Sequence, residues 1–98
     1  MSAISFEWDP RKATANWKKH RVSFTEATSS FYDEAALIID DPDSSDDEVR
    51  FLLLGMSRGL RVLIVCHCYR RHDEVIRIIS ARKADRFERE AYARRGET

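Results

Sequence analysis

Six side chains of this 98-residue sequence have the chemistry to work on a phosphate ester. Arg50, Arg77 and Arg82 carry planar, permanently charged forks that match two phosphate oxygens. His20, His67 and Glu48 are the groups able to carry a proton near neutral pH, because histidine titrates there and a glutamate can be tuned toward it. Each also has a structural reading. His20, at the end of a first helix, can favour the negative end of the helix dipole. Glu48 beside Arg50 can form a salt bridge across strands. His67 lies in an apolar run, where a histidine is more often a satisfied part of the core. Arg82 falls between a strand and a helix and fits a phosphate clamp better than a core position. Trp8 and Trp17 could stack on bases, although a tryptophan in so short a chain is usually core.

Such residues need a scaffold and a field. With 43% hydrophobic and 35% charged residues the chain has the make-up of a folded, highly charged protein, and its length suits a single domain over residues 1–98. The formal net charge is zero. The balance hides an asymmetry: residues 1–49 hold five Lys+Arg against eleven Asp+Glu, and residues 50–98 hold twelve against six. A basic half can dock a polyanion in a neutral protein, since phosphate feels the local field; the same charges can equally intermingle as an ordinary solvated surface. No apolar run approaches the about 20 residues of a membrane span, and the first residues lack a charged-then-apolar leader, so no membrane association and a cytoplasmic location are expected.

Cys66 and Cys68 flank His67. On a strand, alternation sends the two thiols to one face and the imidazole to the other, so the three cannot converge on a metal. Buried reduced thiols are expected, with no metal and no cofactor.

The elements follow from patterning. Ile4 to Trp8 alternates as a short strand; Asp9-Pro10 starts a helix running to about Lys19, with Ala13, Asn16, Trp17 and His20 on one face. Ser23-Phe24-Thr25-Glu26 is a capping box for a second helix ending near Tyr32. A strand over Ala36 to Asp40 leads into the acidic, solvated loop 41–47. Three apolar runs, Glu48 to Met56, Leu60 to Cys68 and Glu74 to Ser80, predict an antiparallel meander. A two-residue loop at Arg58-Gly59 would set Arg50 across from His67, with Glu48, Arg50 and His67 on one face. Asp85-x-x-Glu88 starts a last helix to about Arg95, with Phe87 and Ala91 facing in. The fold class is therefore α+β: an antiparallel sheet packed with two N-terminal helices and one C-terminal helix.

Phe6-Glu7-Trp8-Asp9-Pro10, the Asn16-x-x-Lys19-His20 spacing, Val22-Ser23-Phe24, Glu48-x-Arg50, Gly55 and the string Arg77-Ile78-Ile79-Ser80-Ala81-Arg82-Lys83-Ala84 together resemble the BrnT family of type II toxins, over about residues 5 to 93. Arg21 stands where that family usually has Gly, which would allow a left-handed backbone. Asp85 stands where Thr is common; both residues can cap. The resemblance implies a RelE-like ribonuclease fold. It further implies a BrnA-like antitoxin with a ribbon-helix-helix part, an oligomeric complex with it, and operator DNA contacted only through that antitoxin.

The activity so implied is an endoribonuclease that stops translation and growth. Metal-free RNA cleavage has a ribose 2′-hydroxyl attack the adjacent phosphate. It needs a base, an acid for the leaving 5′-oxygen and cations around the phosphorane, roles for which His20, Glu48, His67, Arg50, Arg77 and Arg82 are the candidates. The alternative is a binding module, or a corepressor with its antitoxin, in which no bond is broken.

Overall fold

The computed structural model describes residues 4–95. Strands β1 (Ser5–Glu7), β2 (Leu37–Asp40), β3 (Phe51–Met56), β4 (Val62–Arg70) and β5 (Val75–Lys83) form one sheet in the order β1-β5-β4-β3-β2. The predicted meander is present as β3-β4-β5, with β2 extending it antiparallel to β3. The sheet is mixed, however, because β1 lies parallel to β5, with Phe6 opposite Ile76. A parallel partner needs a long crossover, which the whole intervening chain supplies.

Three helices cover this sheet unequally: α1 (Pro10–His20), α2 (Phe24–Ser29, continued by a 3-10 turn at Ser30–Tyr32) and α3 (Arg86–Ala93). The Asp9 carboxylate accepts from the Arg11 N–H to start α1, the Ser23 hydroxyl accepts from the Glu26 N–H to start α2, and Asp85 with Glu88 closes a full capping box on α3. α1 and α2 seal one sheet face. There Val22, Phe24 and Ala27 pack on Leu53, Leu63, Val65, Ile78 and Ala81, with Trp8 edge-on to Phe24 at 5.9 Å. On the other face α3, through Ala91 and Tyr92, and Ala84 before it cover only the part around Leu54 and Ile64. The tyrosine hydroxyl donates to Asp33, anchoring α3 across the sheet end. Glycine is required at position 55, where a Cβ would stand 2.9 Å from the Ser30 carbonyl oxygen.

Two sequence expectations are corrected here. The β3–β4 loop has three residues, not two: Leu60 donates its N–H to Ser57, takes φ 60°, and Ser57 pairs with Arg61. That one extra residue slips the register, so Phe51 stands opposite His67 and Leu52 opposite Cys66. A one-residue slip exchanges faces; Arg50 and His67 therefore do not share one. In α3 it is Tyr92 that is buried, whereas Phe87 is 77% exposed. Ala91 does face in, half-buried beside Tyr92 against the sheet, but Phe87, one turn earlier, lies past its edge in solvent.

Candidate active site

The part of the sheet that α3 leaves uncovered is a cleft of about 320 Å³, and His20, Arg50 and Arg82 all line it. They arrive from three elements. Arg50 precedes β3, Arg82 lies on β5 opposite Ile64, and His20 closes α1. The floor is Leu52, Ile64 and Cys66, with Ile79 beside them. Ile79 is there because of a bulge: His67 pairs with Ile78 and Cys66 with Ser80, so Ile79 has no partner across the ladder. A larger concavity, about 470 Å³ between Val49, Phe51, Tyr69 and Asp73, brings no cation or histidine together.

His20 reaches this cleft although α1 packs on the opposite face, and Asn16 is the reason. β1 pairs only with residues 75–77 of β5, leaving the edge open beyond. Buried Asn16 fills that edge as a strand residue would. Its side-chain oxygen accepts from the Ala81 N–H at 3.0 Å, and its amide nitrogen donates to the Ala81 carbonyl at 2.8 Å and to the Val22 carbonyl at 2.9 Å. The C-terminal end of α1 is thereby pinned beside Ser80 and Arg82. The helix then stops at Arg21, a non-glycine residue in the left-handed region (φ 56°, ψ 35°), whose N–H donates to the Trp17 carbonyl. This is the conformation for which the absence of Gly was noted in the sequence.

The arginines are held by acids. Arg50 places Nε 3.7 Å from Asp41 Oδ2 and donates from Nη2 to the Asp43 carbonyl at 2.8 Å. Asp41, itself buried, also accepts from the Cys66 thiol at 3.3 Å. Burial first, and that hydrogen bond second, push the Cys66 thiol up to about 12, so it remains protonated. Arg82 is bonded to both carboxylate oxygens of Glu88. The Arg82 hydrogen bond holds Glu88 below the usual carboxylate range, and the reciprocal bond raises Arg82 further. Asp41 and Glu88 were not singled out in the sequence: Asp41 opens a loop that reads as solvated, and Glu88 reads as a cap, which it also is.

The other candidates lie elsewhere. His67 is fully buried on the opposite face, among the rings of Phe31, Phe51 and Tyr69; its Nδ1 lies 3.1 Å from the Val65 carbonyl and its Nε2 has no partner among the described residues. Glu48 lies 3.9 Å from Arg70 rather than against Arg50. Arg77 shares the cleft's face of β5 but is paired at 2.6 Å with Glu7 of β1. Cys66 and Cys68 point to the cleft side and His67 to the core, as strand alternation requires.

The cleft thus offers two guanidinium groups and an imidazole on one surface, an arrangement suited to an anionic substrate. No helix among the described residues is long and apolar enough to cross a membrane. No match is found among curated proteins. The fold is similar to that of the Brucella abortus ribonuclease toxin BrnT, solved at 1.1 Å, with a TM-score of 0.65 and 23% identity, covering 86% of this chain and 100% of that one. Residues 8–88 match the family model described as the ribonuclease toxin, BrnT, of a type II toxin–antitoxin system. With 8–88 spanning every element from the start of α1 into α3, the chain belongs to the BrnT family of ribonuclease toxins.

Proposed function

We propose that this protein is a metal-independent endoribonuclease whose active site is the cleft between His20, Arg50 and Arg82. The observation that carries the reading is the convergence of these three side chains, from α1, the approach to β3 and β5, on the part of the sheet that α3 leaves uncovered. The cations needed around a phosphorane are already supplied by the two guanidinium groups, which act most strongly where charge develops in the transition state. His20 is the proton carrier placed with them. As general base it takes the proton of the 2′-hydroxyl while that oxygen attacks phosphorus; the bond to the 5′-oxygen breaks, and that oxygen leaves as an alcohol after taking a proton from solvent water. Arg77, paired with Glu7, and Glu48, beside Arg70, lie outside the cleft lining and are given no catalytic role. His67 is assigned to the core.

Family membership implies an antitoxin partner as well as an RNA substrate. We assign the partner to the BrnA type, with a ribbon-helix-helix part that carries all contact with operator DNA, in an oligomeric complex acting in the cytoplasm. The test is to incubate partner-free protein with RNA in excess chelator. Fragments ending in 2′,3′-cyclic phosphate support the reading. RNA that is retarded on a gel but left intact points instead to a binding module. Cleavage only after a divalent metal is restored removes the metal-independent step.

A further inference from the structure

We infer that Trp17 and Arg21 form a platform on which an unpaired nucleotide beside the cleavage site stacks, with the solvent face of α1 as the track for the flanking RNA strand. The inference rests on the reading of the cleft as an RNA-cleaving site.

Trp17 is 47% exposed, whereas Trp8, the other tryptophan, is packed on Phe24 in the core. It stands three residues before His20, a spacing that makes the two side chains neighbours on a helix. The Arg21 guanidinium lies over the indole, 5.6 Å from the ring centroid. Arg21 holds that position in a left-handed backbone that disfavours any residue but glycine. Its carbonyl is fixed by a hydrogen bond from Arg61 Nη2 at 3.2 Å, and Arg61 is in turn bound to Glu26. An arginine kept where glycine would be unstrained, and used to cover an exposed aromatic ring next to the cleft, is strain stored at a working surface.

Charge selects the occupant. From Pro10 to Arg21 the chain carries Arg11, Lys12, Lys18, Lys19 and Arg21 and no acid. All five are exposed, and among the described residues Arg11 with Asp9 is the ion pair formed by this group. In a protein of zero net charge that stripe fits a polyanion. A ring lying open beside it fits a base, and only a single-stranded base is free to stack there.

The test uses a 2′-O-methyl RNA oligonucleotide, which lacks the attacking hydroxyl and so binds without being cut, followed by fluorescence anisotropy at fixed salt. Trp17→Ala should weaken binding about tenfold or more and Trp17→Phe much less, as expected for loss and retention of a stacking surface. Binding of an RNA duplex of the same sequence should not change with Trp17→Ala. Arg21→Gly relieves the backbone, so its melting temperature should equal or exceed the parent's while oligonucleotide binding weakens. Parent-like binding by both Trp17→Ala and Arg21→Gly, in a protein that still cuts unmodified RNA, overturns the platform and leaves the cleft reading intact. Loss of antitoxin binding with RNA binding unchanged also overturns it, giving this surface to the protein partner. Failure of the parent to cut RNA defeats the cleft reading instead, and the anisotropy measurement does not depend on it.

Discussion

Arg82 donates from both terminal nitrogens to the two carboxylate oxygens of Glu88, at 2.7 and 2.8 Å. The pair is partly open to water, with 42% and 27% of the side chains accessible, so its net strength is modest, about 1 kcal/mol or less. An incoming phosphate must compete with that carboxylate. Glu88→Gln keeps an oxygen to accept the Asp85 N–H of the capping box and removes the charge. We expect it to bind an uncleavable RNA more tightly, by about three- to fivefold for an exposed pair of this strength. Weaker binding than the parent's would show instead that Glu88 holds Arg82 in its working position.

Arg50→Ala and Arg82→Ala should each lower RNA cleavage by about 10²–10³-fold, the range for losing one preorganised electrostatic donor. Lysine at either position should restore only part, since a point charge does not reproduce the fork. Circular dichroism must show both variants folded. Two folded alanine variants that cut RNA at the parent rate would place the active site outside this cleft.

Asn16→Ala leaves the Ala81 N–H, the Ala81 carbonyl and the Val22 carbonyl without their partner in a buried setting. The expected cost is about 2–4 kcal/mol, or a fall in melting temperature of roughly 10 °C or more for a domain of this size. Cleavage should fall further than the loss of folded protein explains, because His20 is pinned to the cleft through this residue. Calorimetry beside single-turnover kinetics separates the two effects.

Stability should fall on mild acidification. Burial lowers the His67 pKa, with the bond to the Val65 carbonyl working weakly the other way. The unfolded chain therefore takes up a proton near pH 6.5, the ordinary value, while the folded chain does not. Unfolding free energy is full above about pH 6.5 and declines as pH drops below it, with the slope of a single proton. Urea titrations from pH 7.5 to 5.5 should show this decline, and His67→Leu should flatten it while leaving cleavage at the parent rate. An equally steep decline in His67→Leu would assign the effect to another group.

The cap residues, the strands and the meander were legible in the sequence because each is set by local chemistry: Asp9 with Pro10, Ser23 before α2, Asp85 with Glu88, and β-branched runs between polar breaks; the Glu26 half of the expected second capping box is not formed, its carboxylate being taken by Ser57 and Arg61. The register was not, since Leu60 takes a left-handed conformation that no residue type at that position announces. The slip it causes decided which of Arg50 and His67 could face the cleft. Patterning puts Asn16 on a helix face and the family spacing includes it, but neither gives its role: its bonds to Ala81 span 65 positions, and local patterning carries no signal at that distance. The same limit hid Asp41 and the Glu7–Arg77 pair, which depend on the sheet having closed.

That closure has a consequence in time. β1 and Asn16 are made well before the strand they clasp, Val75–Lys83. Contacts between distant segments form only after both exist, so α1 waits beside an incomplete sheet while translation proceeds. A chain stalled before Ala81 has no clasp for Asn16 and no Arg82. The cleft between His20, Arg50 and Arg82 is therefore assembled only once β5 is made, whatever part of the chain has folded before it.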